Sequence, residues 1–402
     1  VLHTNKIVQR LDTHCSGINR RVQDRRLLVI LRLFLPVLFV LAFLSQTAVN
    51  TSKVSAANTN TVNTNLQSGG SYLMQKTITW GDGTIESVAI DSDGIFVLNG
   101  MKKKLVGFTD PLQFSSGAYW DSKNLALVDT ELAYLQSKGV RLVHMQIGFA
   151  WRSEADYDRI LQLYFDHKML IVPLFAVRGG GTGWDNLTTL DWTIAPGISV
   201  TKALTTWMKH VKTFSNVVAI VLENELDMKG AYTYTVDQAA NYMSLLYATA
   251  RPLTTLPLIT KFGYAPGSFA TAVQNALIPY SAINCFDIYE ASATDFSAAV
   301  DAVNVWSGTK SKPSHTWVTE TNYVTTGFDA TKLTPSMIDA LLTHGAAVVL
   351  VYQMYGPVDP ETCLFDSSGN PTVTCDSLLT NISTWQSPIP ELASVTNSNG
   401  GI

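Results

Sequence analysis

The sequence predicts an α/β fold: a (β/α)8 TIM barrel with a short N-terminal β-hairpin segment. Three observations lead there. Short apolar, β-branched runs alternate with helical stretches eight times over about 250 residues, the usual span of such a barrel. Two of the runs stop abruptly in charge. Residues 217–222 are all apolar and lead straight into Glu223, Asn224, Glu225 and Asp227, and the β-prone run 315–323 carries Glu320. Parallel strands ending in carboxylates at their C-terminal edge are how a barrel presents reactive groups. Finally, no Gly-rich turn follows the first strand, which argues against the alternative of an open sheet built around a dinucleotide.

The elements follow in order. Residues 77–108 alternate in polarity and are punctuated by Asp82-Gly83, Asp93-Gly94 and Asn99-Gly100. Such pairs supply the φ > 0 positions of tight turns, so short antiparallel strands are expected, with 105–108 as the first barrel strand. Lys102 to Lys104 reads as a solvated turn rather than a binding patch. A helix over 129–138 starts at Asp129 and stops at Gly139. Strand two covers 140–147, a helix with Glu154 and Asp156 in its first turn covers 153–167, and strand three covers 169–175. Helix 201–214 precedes the strand 217–222. Further helices are expected at 236–250, 268–276, 296–306 and 335–343, and strands at 258–261, 282–289, 316–319 and 346–352. The long loop 177–200 is of a length more often functional than not. Its Gly179-Gly180-Gly181 run lacks the Lys-Ser/Thr of a phosphate loop, so nucleotide binding is rejected.

At 402 residues and 46% hydrophobic, the chain can bury one large core plus appendages. Residues 1–48 place Arg20, Arg21, Arg25 and Arg26 ahead of the apolar run 27–44. This is the layout of a signal peptide; because Arg32 and Pro36 interrupt the run, an uncleaved membrane anchor is the alternative. Either way the expected location is secreted or extracellular. The stretch 49–76 is rich in Asn, Thr and Ser and reads as a linker, leaving 77–402 as the barrel domain. Setting aside 1–48 leaves 21 basic against 30 acidic residues. That balance excludes nucleic acid as a natural partner and suits a neutral substrate.

Of four cysteines, Cys285 falls inside strand six and reads as a small buried apolar residue. Cys363 and Cys375 bracket a loop after strand eight, a spacing that in an exported chain suggests a local disulfide. No Cys-x-x-Cys or nearby His favours zinc, and no metal or organic cofactor is implied.

Glu225 and Glu320, far apart in sequence and each ending a strand, suit the paired-carboxylate chemistry of glycoside hydrolysis. Asn224-Glu225 at one strand end and a lone Glu320 at a later one resembles the clan A retaining glycoside hydrolases, most nearly family 5, the cellulase and mannanase group. The resemblance implies that Glu225 is the general acid/base and Glu320 the nucleophile, that Asn224 binds the sugar 2-hydroxyl, and that Tyr289 orients Glu320. Glu223 is a rival for Glu225, with only one of the two expected to face the site. The supporting residues depart from the family: His144 stands where it carries Arg, Phe175 and Asp287 where it carries His, and Tyr352-Gln353 where it carries Trp. His144 either takes over the Arg's hold on the nucleophile or is a hydrogen-bonded core histidine. Gln353, Trp120, Trp151, Trp184 and Trp192 are candidate sugar contacts, core packing being the alternative for each indole.

The expected activity is that of an exported retaining glycoside hydrolase. Its substrate would be a carbohydrate, a neutral β-linked polysaccharide or oligosaccharide of β-glucan or β-mannan type, attacked by double displacement and internally rather than from an end. The alternative is a catalytically silent barrel acting as a surface carbohydrate-binding or cell-envelope protein.

Overall fold

The computed structural model describes residues 71–110, 122–146, 154–176, 193–195, 198–228, 234–264, 267–324, 329–352, 354, 363–366 and 368–389. It begins with a four-stranded antiparallel sheet in the order β1 (Tyr72–Thr79), β2 (Ile85–Asp91), β3 (Phe96–Leu98), β4 (Met101–Lys103). The turns at Asp82-Gly83 and Asp93-Gly94 close as their sequences predict, each glycine at φ 82°. Strand β1 starts at Tyr72, inside the stretch read as linker, because Met74 and Ile78 bury against the barrel floor.

The barrel is closed and wholly parallel, from β5 (Leu105–Asp110), β6 (Leu142–Met145) and β7 (Leu170–Phe175) to β10 (Ile220–Asn224), β11 (Leu258–Gly263), β12 (Cys285–Glu290), β13 (Thr316–Tyr323) and β14 (Ala346–Tyr352), which pairs back onto β5. Between β7 and β10 a two-stranded pair, β8 (Thr193–Ala195) and β9 (Ile198–Ser199), falls within the long loop. The helices around the ring are α1 (Ser122–Ser137), α2 (Glu154–Asp166), α3 (Val200–Val211), α4 (Val236–Ala250), α5 (Ser268–Leu277), α6 (Ala293–Gly308) and α7 (Pro335–Thr343), followed by α8 (Val373–Leu379) and α9 (Ile382–Trp385). Local chemistry sets their starts. Thr235 and Gln238 form a capping box on α4, Ser199 and Ser292 cap α3 and α6, and Pro335 opens α7, where no amide donor is needed.

Two apolar layers result. Leu170, Val172, Leu174, Val221, Ile259 and Trp317 point into the ring and continue into the antiparallel sheet. Ile171, Phe175, Ile220, Leu222, Phe262 and Val318 point outward to the helices. Each side chain so buried contributes about 1.5–3 kcal/mol. The sheet closes the N-terminal mouth: Trp317 Nε1 donates to Gly94 O at 2.7 Å, and Phe96 stacks on the same indole at 5.3 Å. Gly107 lets β5 approach β6, since a Cβ there would stand 1.9 Å from Leu142 O. Among the described residues no helix is long and apolar enough to cross a membrane; the run 27–44 lies outside them.

The expected Cys363–Cys375 disulfide is not formed; both residues are buried thiols. Hydrogen bonds hold that turn instead. The Asp366 carboxylate accepts the amides of Ser368 and Asn370, and Thr372 N donates to Leu364 O at 2.9 Å. Cys375 sits on α8 facing the apolar layer, where burial pushes its thiol pKa upward and keeps it inert.

Candidate active site

The polar residues of interest meet at the C-terminal ends of β10 to β13. On β10, Val221 faces the ring between the outward Ile220 and Leu222. A regular pleat would therefore aim Glu223 and Glu225 both inward. The register prevents it: Leu222 pairs with Thr260 but Asn224 with Lys261, so Glu223 is a bulge. Glu223 takes φ 65° and Glu225 φ 45°, at a cost on the order of 1 kcal/mol each. The twist parts the two acids. Glu223 turns out to the helix layer, where it accepts from Tyr242 Oη on α4 at 2.7 Å and from the Asn224 amide at 3.0 Å. Glu225 stays over the barrel mouth: its amide donates to Lys261 O at 3.2 Å, and Asn224 Nδ2 lies 3.4 Å from its Oε2. Beside it, Gly263 leaves room for the carboxylate; a Cβ there would be 3.0 Å from Glu225 Oε1. Asp227 pins the following turn by accepting from Gly263 N and Gln274 Nε2.

Strand β13 repeats the device. Phe286 pairs with Val318 but Asp287 with Glu320, so Thr319 is the extra residue. Trp317 points inward, and simple alternation would send Glu320 outward. The bulge brings it into the mouth instead, leaving it 5% exposed. There Glu320 Oε1 accepts from Gln146 Nε2 and Lys261 Nζ, and Oε2 accepts from Tyr289 Oη. Thr319 Oγ1 donates to Asp287 Oδ1 at 2.9 Å, and Lys261 Nζ lies 3.0 Å from Asp287 Oδ2.

The electrostatics centre on Lys261, whose side chain is fully buried. Burial by itself would lower its pKa; the charges of Asp287, Glu320 and Glu225 override this and leave it raised, so the ammonium is charged. Burial and the charge of Glu320 push Asp287 upward, against the pull of the Lys261 ammonium paired with its Oδ2 at 3.0 Å. Burial and the charge of Glu320 likewise raise Tyr289, which stays a neutral donor. The phenol of Tyr352 meets Tyr289 edge-on at 6.3 Å.

His144 sits on the strand neighbouring these groups, with Nδ1 2.8 Å from Val172 O. A carbonyl can only accept, so Nδ1 carries the proton. Burial and the Lys261 charge hold the ring's pKa well below its ordinary value, leaving it neutral. Of its two expected roles, the core histidine is the one these contacts describe, and Gln146 with Lys261 supplies the donors on Glu320 Oε1. Neither Gln146 nor Lys261 is among the candidates named from the sequence. The signal for Lys261 was available, since a lysine inside the apolar run LITK demands a buried partner. The structure therefore brings together Glu225, Glu320, Asn224 and Tyr289. Trp120, Trp151, Trp184, Trp192 and Gln353 lie outside the described residues. Among the described residues no cluster of His, Cys, Asp or Glu is arranged to hold a metal ion.

Comparison with known proteins gives likeness of fold alone. No protein-family model matches the chain, and no curated protein matches it. Solved structures do. An exo-beta-1,4-mannosidase from Opitutaceae bacterium strain TAV5 superposes with a TM-score of 0.57 at 15% identity, over 74% of this chain and 62% of that one. This chain thus spans under two thirds of the mannosidase's length. GH5_18 from Bifidobacterium longum subsp. longum ATCC 55813, as a variant in complex with Manb1-4GlcNAc, gives 0.57 at 13% identity over 71% and 79%. A GH5_18 variant from Streptomyces cattleya with the same ligand gives 0.57 at 10% identity over 71% and 82%.

Proposed function

We propose that this protein is a retaining glycoside hydrolase acting on neutral β-linked carbohydrate, with Glu320 as nucleophile and Glu225 as general acid/base. One arrangement supports it above all. Two carboxyl groups, each turned into the barrel mouth by a bulge or a left-handed residue, act on the same ammonium of Lys261 and the same phenol of Tyr289. In the first step Glu320 attacks the anomeric carbon while Glu225 hands its proton to the departing oxygen; in the second Glu225 takes a proton from the water that displaces Glu320. Tyr289 keeps the nucleophile's orientation, and Asn224, beside Glu225, is offered to the hydroxyl next to the reacting carbon.

The mannosidase name of one solved neighbour and the Manb1-4GlcNAc bound to another make β-mannosides the first substrates to try; β-glucosides, expected from the sequence, come second. Internal cleavage and export remain part of the proposal, export resting on the basic-then-apolar stretch within 1–48. The test is Glu225→Gln and Glu320→Gln assayed on aryl β-mannosides and β-glucosides. Each is expected to lose at least about 10²-fold in kcat/KM, with azide restoring turnover to the alanine or glycine versions. Full activity in both glutamine variants refutes the assignment, and sugar binding without turnover by the wild type selects the silent barrel.

A further inference from the structure

The mechanism above leaves a buried lysine without a task. Lys261 lies in an apolar strand, fully covered, between Glu320 Oε1 and Asp287 Oδ2 at 3.0 Å. The Glu225 carboxyl reaches the same ammonium from the end of β10. Among the described residues the other groups facing this cluster are His144 and Gln146 from β6 and its end, Cys285 and Tyr289 from β12, and Tyr352 from β14. His144 is neutral, burial pushes the Cys285 thiol up, and both phenols are raised, so none of these supplies a rival charge. Removing either partner of a buried ion pair strands the other, so a lysine held here by two carboxylates is costly to keep unless both are needed.

We propose that Lys261 and Asp287 form a fixed counter-charge for Glu320: Lys261 holds the nucleophile as a carboxylate for attack, and Asp287 keeps the ammonium paired while that nucleophile is an ester. This rests on the glycosidase reading. The balance of the first step shows why two acids are required. The bond from the anomeric carbon to the leaving oxygen breaks, a bond from that carbon to Glu320 Oε2 forms, and the proton on Glu225 passes to the leaving oxygen. Glu320 thereby loses its negative charge and Glu225 gains one. Lys261 keeps Asp287 as its ion-pair partner and still donates to Oε1, now the ester carbonyl. In the second step the ester bond breaks, its electron pair returns to Glu320 Oε2, and the ammonium at Oε1 stabilises the returning charge. Water supplies the new oxygen and gives its proton to Glu225. Lys261 and Asp287 are positioning residues in this scheme; neither touches the sugar.

The experiment compares the full chain with Lys261→Met and Asp287→Asn, by pH profiles of kcat/KM on an aryl β-mannoside or β-glucoside. Loss of the cation makes the nucleophile harder to ionise, so Lys261→Met moves the acid limb up by about one pH unit or more. Loss of Asp287 leaves the whole cation on Glu320, so Asp287→Asn moves the limb down. On a dinitrophenyl glycoside, where the second step limits, Lys261→Met also accumulates glycosyl-enzyme, read by intact mass after acid quench. A merely structural pair moves neither limb. Should Lys261→Met fail to fold, the downward shift in Asp287→Asn decides alone. Limbs that stay with the wild type, or move together, overturn the proposal. Labelling of wild-type Glu320 by a 2-deoxy-2-fluoro glycosyl fluoride separates the two readings. A labelled wild type with unmoved limbs overturns the counter-charge alone; a wild type that neither turns over nor labels overturns the hydrolase reading and this one with it.

Discussion

Gly263→Ala tests how tightly the barrel mouth fixes Glu225. A Cβ at this position would stand 2.4 Å from Met228 Cγ, 2.7 Å from Met228 Sδ and 3.0 Å from Glu225 Oε1. Comfortable carbon contacts lie at about 3.5–4.0 Å, so the methionine must retreat by about 1 Å and the carboxylate by about half that. Methionine is unbranched and adapts, which limits the loss of stability to about 1–2 kcal/mol. Catalysis is less forgiving, because a displacement near 1 Å costs about 10²-fold. We expect kcat/KM to fall about 10–100-fold on glycosides with poor leaving groups, which need the proton from Glu225, and much less on dinitrophenyl glycosides, which do not. Pairing the change with Met228→Ala removes the methionine clash and spares the carboxylate contact, so the stability returns while the leaving-group-dependent defect persists. Equal losses on both substrate types, or full recovery in the double variant, would refute the reasoning.

Three further outcomes follow from the fold. Glu223→Gln keeps an acceptor for Tyr242 and should leave kcat/KM within about threefold of wild type, against at least about 10²-fold loss for Glu225→Gln; the reverse order in an aryl-glycoside assay would exchange the two acids. Gly107→Ala places a Cβ 1.9 Å from Leu142 O, backbone that cannot yield, and should cost at least about 3 kcal/mol in urea unfolding. Asp110, at the end of β5, is pushed up to about 7 from 3.8 by burial, against the pull of the Tyr164 hydrogen bond. Between those values the folded state holds a proton that the unfolded state has released, so stability falls as pH rises from about 4 to about 7. Asp110→Asn should flatten part of that slope in melting curves; Glu131, raised chiefly by its own burial, retains another part.

Most of the architecture was legible. Helices 236–250 and 335–343 and strand 346–352 end where the sequence places them, because caps, an N-terminal proline and uninterrupted β-branched runs all agree. The Glu225 and Glu320 positions stood out through abrupt apolar-to-charged boundaries. Their facing did not, since it depends on bulges at Glu223 and Thr319 that a period-two pattern has no means of announcing. Gln146 and Lys261 were missed for a related reason: their value comes from a partner on a distant strand. The disulfide was inferred from spacing, which carries no information about whether two sulfur atoms face one another.

The left-handed backbone at Glu223 and Glu225 sets heat tolerance against turnover at one short turn. Glycine or asparagine at either position would relax the chain, and a search for hardier variants should find them there. At 223 the relief is paid in the tie to Tyr242 and leaves chemistry intact; at 225 the same relief removes the proton donor. Selection for endurance alone would thus keep the barrel and discard its reaction, with the first of these two sites as the one safe concession.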